Sequence, residues 1–429
     1  MPEMTITLLA LAVIMFVLGV PIAAALGLAA SLVLFIFRPI PNMMMIPQVL
    51  SEAGASFVLL AVPLFVLVGN LMERGTMGRQ LIDFSMAFVG WAKGGLGAVN
   101  VFGSFLFGGI SGSSVADAAT FSTILVPRMK AEGYPSDYSA ALTVTTATLS
   151  TIRPPSIQII LAAAVTNQSI GRALTGALLP AVVVLLLLFI PNYFISRKRG
   201  YGKNHPFSFS NLWHQTKKSW TALFAPVIIM GSILSGLVTP TEAAGIAVLY
   251  ILVVDWIFYR QLGPKEIWEA LKKTAGITSA ILLVASASAL MNFIIAFENI
   301  PMMLSGVLAS VPGGKIGFIA VFLFLVVIIG VMLDATPATL IFAPLFLPAA
   351  VSLGIDPTHF IILWVMGVAL GMTTPGYGVC VFTVATITRV PIGAMVIKAI
   401  PFYLVTLLGI VIVAAFPQIV LVLPNLIGM

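Results

Sequence analysis

The chain has 429 residues, 60% hydrophobic and 8% charged, with a mean hydropathy of +1.13. Soluble globular proteins carry about 25% charged residues, so the composition excludes a soluble domain and indicates a polytopic membrane protein with roughly ten crossing segments of about 20 residues each. The formal net charge of +7 reads as membrane topology rather than nucleic-acid binding, and the single cysteine, Cys380, excludes an internal disulfide and reads as an inert packing residue.

Residues 4 to 37 run apolar for too long to be a cleavable signal, and no basic stretch precedes them. They contain GVPIAAALG (19 to 27) and close on FIFR at Arg38. An amphipathic connector, TMGRQLIDFSMAFVGW, follows, and then a glycine-serine tip inside an apolar hairpin, GGISGSSVAD (108 to 117). PRMKAEGY leads on to STIRPPS (150 to 156), where two prolines break an apolar helix and an arginine sits between polar residues. The polar linker RKRGYGKNHPFSFSNLWHQTKK separates this half from the next, and NLWHQTKKSW (211 to 220) within and after it reads as an interfacial helix.

The second half repeats the first. TPTEAAGIA (239 to 247) resembles GVPIAAALG, IFYR closes at Arg260, and KEIWEALKK is the second amphipathic connector. Gly109 and Gly330, Phe121 and Phe342, Pro127 and Pro348, Gly133 and Gly354, and Pro154 and Pro375 are each separated by 221 residues. Duplicated glycines and prolines indicate duplicated backbone geometry. The first unit covers 1–200, with a re-entrant hairpin at about 97–132 and a broken helix at about 137–166. A cytoplasmic linker spans 201–221, and the second unit covers 222–429, with its hairpin at about 317–353 and broken helix at about 358–388. The expected fold is therefore all-α, with two inverted-topology repeats. With five crossings per unit, inversion puts 17 of the 21 lysines and arginines inside, Arg153 in the membrane and only Arg38, Arg172 and Lys315 outside, as the positive-inside rule requires. Both termini are then exterior.

Interrupted helices at matching positions of inverted repeats point to a secondary-transporter site. Backbone at membrane depth must be buried in protein or line a cavity, so four such breaks should meet near the midplane. Unwound turns expose carbonyls, and Ser111, Ser114, Thr151, Thr336, Thr373 and Thr374 add hydroxyls, a set suited to Na⁺. Arg153, the serine-rich tip and the helix N-termini suit a carboxylate. Each hydroxyl alone also fits small-residue helix packing, and Arg153 alone fits a surface loop. Asp117 reads either as a cation ligand or as a helix cap. Gly109-Ile-Ser111-Gly112 matches the GxSG string of intramembrane serine proteases, but no histidine is expected inside a membrane helix: His205 and His214 fall in the linker and His359 follows a loop-like GIDPT. No catalytic residue and no cofactor is expected, no GxxxxGK[ST] loop is present, and the absence of a Lys, Glu and His relay favours Na⁺ over H⁺ as coupling ion.

With GGISGSSVAD, PRMKAEGY, STIRPPS, LDATPAT and GMTTPGYG in place, the chain resembles, over essentially its whole length, the large membrane subunit of a tripartite ATP-independent periplasmic (TRAP) transporter. The resemblance implies a scaffold and an elevator-type transport domain in the bacterial inner membrane, related to divalent-anion/Na⁺ symporters. It implies Na⁺-driven uptake of an organic acid with two partners, a small four-helix membrane subunit and a periplasmic substrate-binding protein. It places one sodium site among Ser111, Gly112, Ser114, Thr151 and Pro154, and a second among Gly330, Thr336, Gly371, Thr373 and Thr374. Substrate falls to Ser113, Arg153, Ser156 and Asp334, with Pro154, Pro155, Pro337 and Pro375 breaking the helices. An aspartate beside an anion is awkward unless it faces a hydroxyl, an ammonium group or a sodium ion, which favours sialic acid over a C4-dicarboxylate. The alternative is a stand-alone ion-coupled carrier of the symporter type, working without a binding protein.

Overall fold

The structure is a computed structural model that describes residues 3–37, 45–55, 57–202, 206–309, 312–375 and 378–429. Arg38, Lys203 and His205, and Gly376 and Tyr377 of the last break, lie outside the described residues. All regular elements among the described residues are helical. In chain order they begin with α1 (Glu3–Val17), α2 (Ile22–Phe37), α3 (Met45–Gly54), α4 (Ala61–Arg74) and α5 (Met77–Val89). The first hairpin is α6 (Gly95–Ser111) and α7 (Ser114–Ala131), and the first broken helix is α8 (Ser136–Thr146), α9 (Thr148–Ile152) and α10 (Ile157–Val165). Then come α11 (Ile170–Gly176), α12 (Leu178–Arg199), α13 (Phe209–Leu234), α14 (Pro240–Val254), α15 (Pro264–Phe297) and α16 (Ile300–Ala309). The second hairpin is α17 (Gly314–Met332) and α18 (Ala335–Ser352), and the second broken helix is α19 (Pro357–Thr373) and α20 (Val379–Thr388). The chain closes with α21 (Ile392–Ala415) and α22 (Gln418–Leu426).

Six helices among the described residues are long and apolar enough to cross a membrane, and five shorter apolar helices accompany them. Helices suit this role because each satisfies its own backbone donors and acceptors without water. Their ends follow local chemistry. Thr239 and Glu242 form a reciprocal capping box, with Pro240 in the first helical position of α14. Gly200, in the left-handed region at φ 68°, ends α12 just after Arg197, Lys198 and Arg199.

Two expected elements differ. The stretch 211 to 220 is not a separate interfacial helix: it is the first part of α13, which runs on unbroken into apolar sequence. Its amphipathic character survives locally, with the Lys217 ammonium 5.2 Å from the Trp213 ring centroid and Trp220 edge-on to Phe258. Likewise KEIWEALKK is no connector but the start of the 34-residue α15, because nothing after Pro264 interrupts the helix.

Helices α2, α3 and α4 pack on α15, while α13 packs on α5 and α14 on α4, forming one body. A small core of Leu26, Ala30, Val33, Leu290 and Ile294 joins α2 to α15. The hairpins and broken helices form a second group packed onto the first, α6 on α5 and α18 on α15. Within it the second half of each broken helix packs on the opposite hairpin, α10 on α18 and α20 on α7. Element ends recur at the 221-residue spacing: Ser111 and Met332, Ser114 and Ala335, Ala131 and Ser352, Ile152 and Thr373. The start of α8 meets the start of α21 through Lys398 and Asp137, 4.0 Å apart. The start of α19 meets the far end of α21, where His359 Nε2 lies 3.0 Å from the Val413 carbonyl.

Candidate substrate and cation site

The first hairpin turns at Gly112, whose φ of 58° is left-handed and open to glycine without cost. A Cβ there would also press on the chain, 3.1 Å from Ile157 N and 3.2 Å from the Pro155 carbonyl oxygen. Tip and helix break therefore touch. Ser113, in extended conformation, caps α7 by accepting from Ala116 N–H at 3.4 Å. In the second hairpin Leu333 takes the turn and Asp334 caps α18, accepting from Thr336 N–H at 3.0 Å. Serine and aspartate thus occupy matching positions, and such a cap contributes about 0.5–2 kcal/mol.

The break in the first unit leaves α9 at Ile152 and resumes at Ile157, with the Pro154–Pro155 peptide cis. Ser114 Oγ donates to the Ala147 carbonyl at 2.7 Å and is also in short contact with the Thr151 hydroxyl. Ser156 Oγ donates to the Thr151 carbonyl at 2.5 Å. Ser111, Gly112, Ser114 and Thr151 are thereby brought together around unwound backbone, beside the Pro154 turn.

Arg153 and Ser156, expected at the substrate, are not among the residues lining the cavity between the tips and α15. The Arg153 guanidinium turns towards α6, donating from Nη1 to the Leu106 carbonyl at 2.9 Å and lying 4.7 Å from the Phe105 ring centroid. Gly109 makes room for it, since a Cβ there would stand 1.5 Å from Nη1. Ser156 is fully buried against Thr151. Arg153 ties the break to the hairpin, and Ser156 ties the two sides of the break together.

In the second unit, α17 and α19 cross backbone to backbone. A Cβ on Gly371 would lie 2.6 Å from Gly330 Cα, and one on Gly330 would lie 2.8 Å from the Val368 carbonyl oxygen. Thr373 and Thr374 turn their hydroxyls back onto the Leu370 carbonyl, at 3.0 and 2.6 Å, and Tyr403 OH donates to the Thr373 carbonyl. Pro375 follows the end of α19, as expected of a breaking residue. Pro337 does not break a helix. It lies in the first turn of α18, where a missing N–H costs nothing.

A cavity of about 620 Å³ lies between the hairpin tips and helices α2, α4 and α15. On one side stand Gly112, Ser113, Ser114, Thr151, Asp334 and Thr336; on the other stand Ile22 of α2, Glu73 of α4, and Lys273 and Ile277 of α15. Three polar lining residues are not among the site residues expected from the sequence: Gln158, Glu73, and Lys273 at the end of KEIWEALKK. Gln158 bridges the halves, its Nε2 donating to Thr336 Oγ1 at 3.2 Å and its Oε1 accepting from Thr339 at 3.3 Å. Thr339 in turn accepts from Trp364 Nε1 at 3.0 Å. Asp117 is neither in this cavity nor a cap, since Ser113 caps α7. Its carboxylate is fully buried beside Ser104 and Ser150, with no partner in hydrogen-bonding geometry among the described residues.

Among the described residues no histidine lies beside the hairpin tips to serve as the base of a serine protease. His359 proves to lie inside α19, buried, with its ring committed to the Val413 carbonyl at the far end of α21. Cys380 is buried and free.

Comparison with known proteins finds transporters. The chain is 31% identical over 371 residues to the sialic acid TRAP transporter large permease protein SiaM of Vibrio cholerae, covering 86% of this chain and 87% of that one. It is 32% identical over 405 residues to the C4-dicarboxylate TRAP transporter large permease protein DctM of Pseudomonas aeruginosa, covering 94% and 95%. Its fold is like that of the YdaH transporter of Alcanivorax borkumensis, with a TM-score of 0.64 at 16% identity over 97% of this chain and 98% of that one. These relatives are named as permeases and transporters, not enzymes. Residues 8–419 match the DctM component of the tripartite ATP-independent periplasmic transporters, and the chain belongs to that family as a large, multi-pass membrane subunit.

Proposed function

We propose that the chain is the membrane subunit of a Na⁺-coupled importer of an organic acid anion, residing in the bacterial inner membrane. Its family implies a small membrane subunit and a periplasmic substrate-binding protein as partners. The observation that carries the reading is the cavity lined on one face by both hairpin tips and on the other by α2, α4 and α15. Such a boundary suits an elevator, in which the tips carry substrate past a stationary wall. The repeated element ends, and the starts of α8 and α19 at opposite ends of α21, support inverted repeats. Two groups of unwound backbone and hydroxyls, one around Ser111, Gly112, Ser114 and Thr151 and one around Gly330, Gly371, Thr373 and Thr374, suit sodium.

Relatives are named for sialic acid and for C4-dicarboxylates. Asp334 and Glu73 in the lining disfavour a doubly charged substrate, and Ser113, Gln158 and Thr336 offer partners to hydroxyl and amide groups. A polyhydroxylated monocarboxylate such as sialic acid is therefore favoured. Proteoliposomes holding the chain with its small partner and binding protein should accumulate the acid only down an inward sodium gradient. Uptake that persists without sodium refutes the coupling, and uptake without the binding protein points to a stand-alone carrier.

A further inference from the structure

The wall of the cavity opposite the tips is apolar except for one charged pair. Lys273 Nζ on α15 and Glu73 Oε2 on α4 are 2.7 Å apart, with their side chains 43% and 35% exposed. Both residues line the main cavity and also a smaller one of about 80 Å³ beneath Ser111 and Ser113. Among the described residues lining the main cavity, Lys273 is the one base, set against two acids, Glu73 and Asp334. Arg153, the other cation near the tips, is turned away onto the Leu106 carbonyl.

The pair is not needed as a clamp. One residue on, Thr274 accepts from Asn70 Nδ2 at 2.9 Å in a buried bond that already ties α15 to α4. Exposed ion pairs contribute little to stability in any case. What the pair does is hold an ammonium group, with its charge matched, at the edge of the space where an anion would sit.

We propose that Lys273 is a substrate-binding residue of the stationary wall, and that the substrate's carboxylate replaces Glu73 as its partner. This deepens the organic-acid reading and rests on it. A single lysine serves a single carboxylate, and Glu73 sets the threshold, because any anion must compete with it. A flexible ammonium group released by a nearby acid is suited to such an exchange.

The test uses the full chain with its small partner and binding protein in proteoliposomes. Labelled N-acetylneuraminate and succinate are offered separately, and kinetics are measured on whichever acid the wild type accumulates. Lys273→Gln should raise KM at least tenfold with kcat little changed, Lys273→Arg should stay within a few-fold, and Glu73→Gln should lower KM by freeing the lysine. Unchanged KM in both Lys273→Gln and Glu73→Gln overturns the proposal while leaving the importer reading intact. So does restored uptake in a Glu73→Lys, Lys273→Glu double variant, which would mark a purely structural pair. A wild type that accumulates neither acid overturns both readings.

Discussion

Gly371→Ala probes the crossing on which the second half of the site is built. The added methyl would stand 2.6 Å from Gly330 Cα and 2.7 Å from the Val327 carbonyl oxygen. Carbon atoms pack best at about 3.5–4.0 Å, so α17 and α19 must part by about 1 Å. Every neighbour is backbone, and none can swing aside. Overpacking of this kind costs about 1–3 kcal/mol, while exchanging a helical glycine for alanine returns up to about 1 kcal/mol through propensity. Gly245→Ala in α14 separates the two effects, because a Cβ there meets nothing within 4 Å. We expect Gly245→Ala to melt at or slightly above wild type in detergent and Gly371→Ala to melt several degrees below it. Transport by Gly371→Ala should fall sharply, since the displaced end of α19 carries Thr373 and Thr374. If Gly371→Ala melts with Gly245→Ala and keeps wild-type kcat, the two backbones do not cross at this contact.

Other variants test single contacts. Asp334→Asn keeps a cap, so its melting should match wild type while substrate or sodium affinity drops in uptake assays; unchanged kinetics would remove Asp334 from the site. Arg153→Ala loses a charged hydrogen bond to the Leu106 carbonyl, worth about 1.5–3 kcal/mol, and should lower both stability and transport. A variant as stable as wild type would show that the guanidinium does not fasten the hairpin. Gln158→Leu removes the bonds to Thr336 and Thr339 at about 0.5–1.5 kcal/mol each. Limited proteolysis should then reach α10 sooner than in wild type, and identical cleavage would count against the bridge. Asp117→Asn replaces a buried carboxylate without a partner, and should raise the melting temperature in sodium-free buffer; a fall would reveal a partner for the charge.

Backbone features were the legible part of the chain. Glycine and proline act through φ and the missing N–H, which do not depend on distant residues. That is why the 221-residue spacing of Gly109 and Gly330, and of Pro154 and Pro375, recurs in the helix ends at Ser111 and Met332. Side-chain direction was not legible. STIRPPS contains an arginine, but the vacant Cβ position of Gly109 decides where it points, and that lies on another helix. Glu73 and Lys273 meet across 200 residues, and Gln158 meets Thr336 across 178, with nothing local to pair them. The continuity of α15 was legible in principle: Pro264 starts a helix, and no proline follows before its end. A charged, amphipathic opening hid the apolar helix behind it.

The exchange of half-helices, α10 onto α18 and α20 onto α7, has a consequence for biogenesis. At nine residues α10 is only about 14 Å long, too short to cross a bilayer by itself. Its Gln158 finds partners in a helix that starts at Ala335. Translation at about 5–20 residues per second leaves roughly 10–35 s between the two emerging from the ribosome. During that interval the first half sits in the membrane with a half-length helix and its one amide side chain, Gln158, uncovered. Maturation of the nascent chain therefore requires either retention beside the insertion machinery or a temporary companion until the second hairpin arrives.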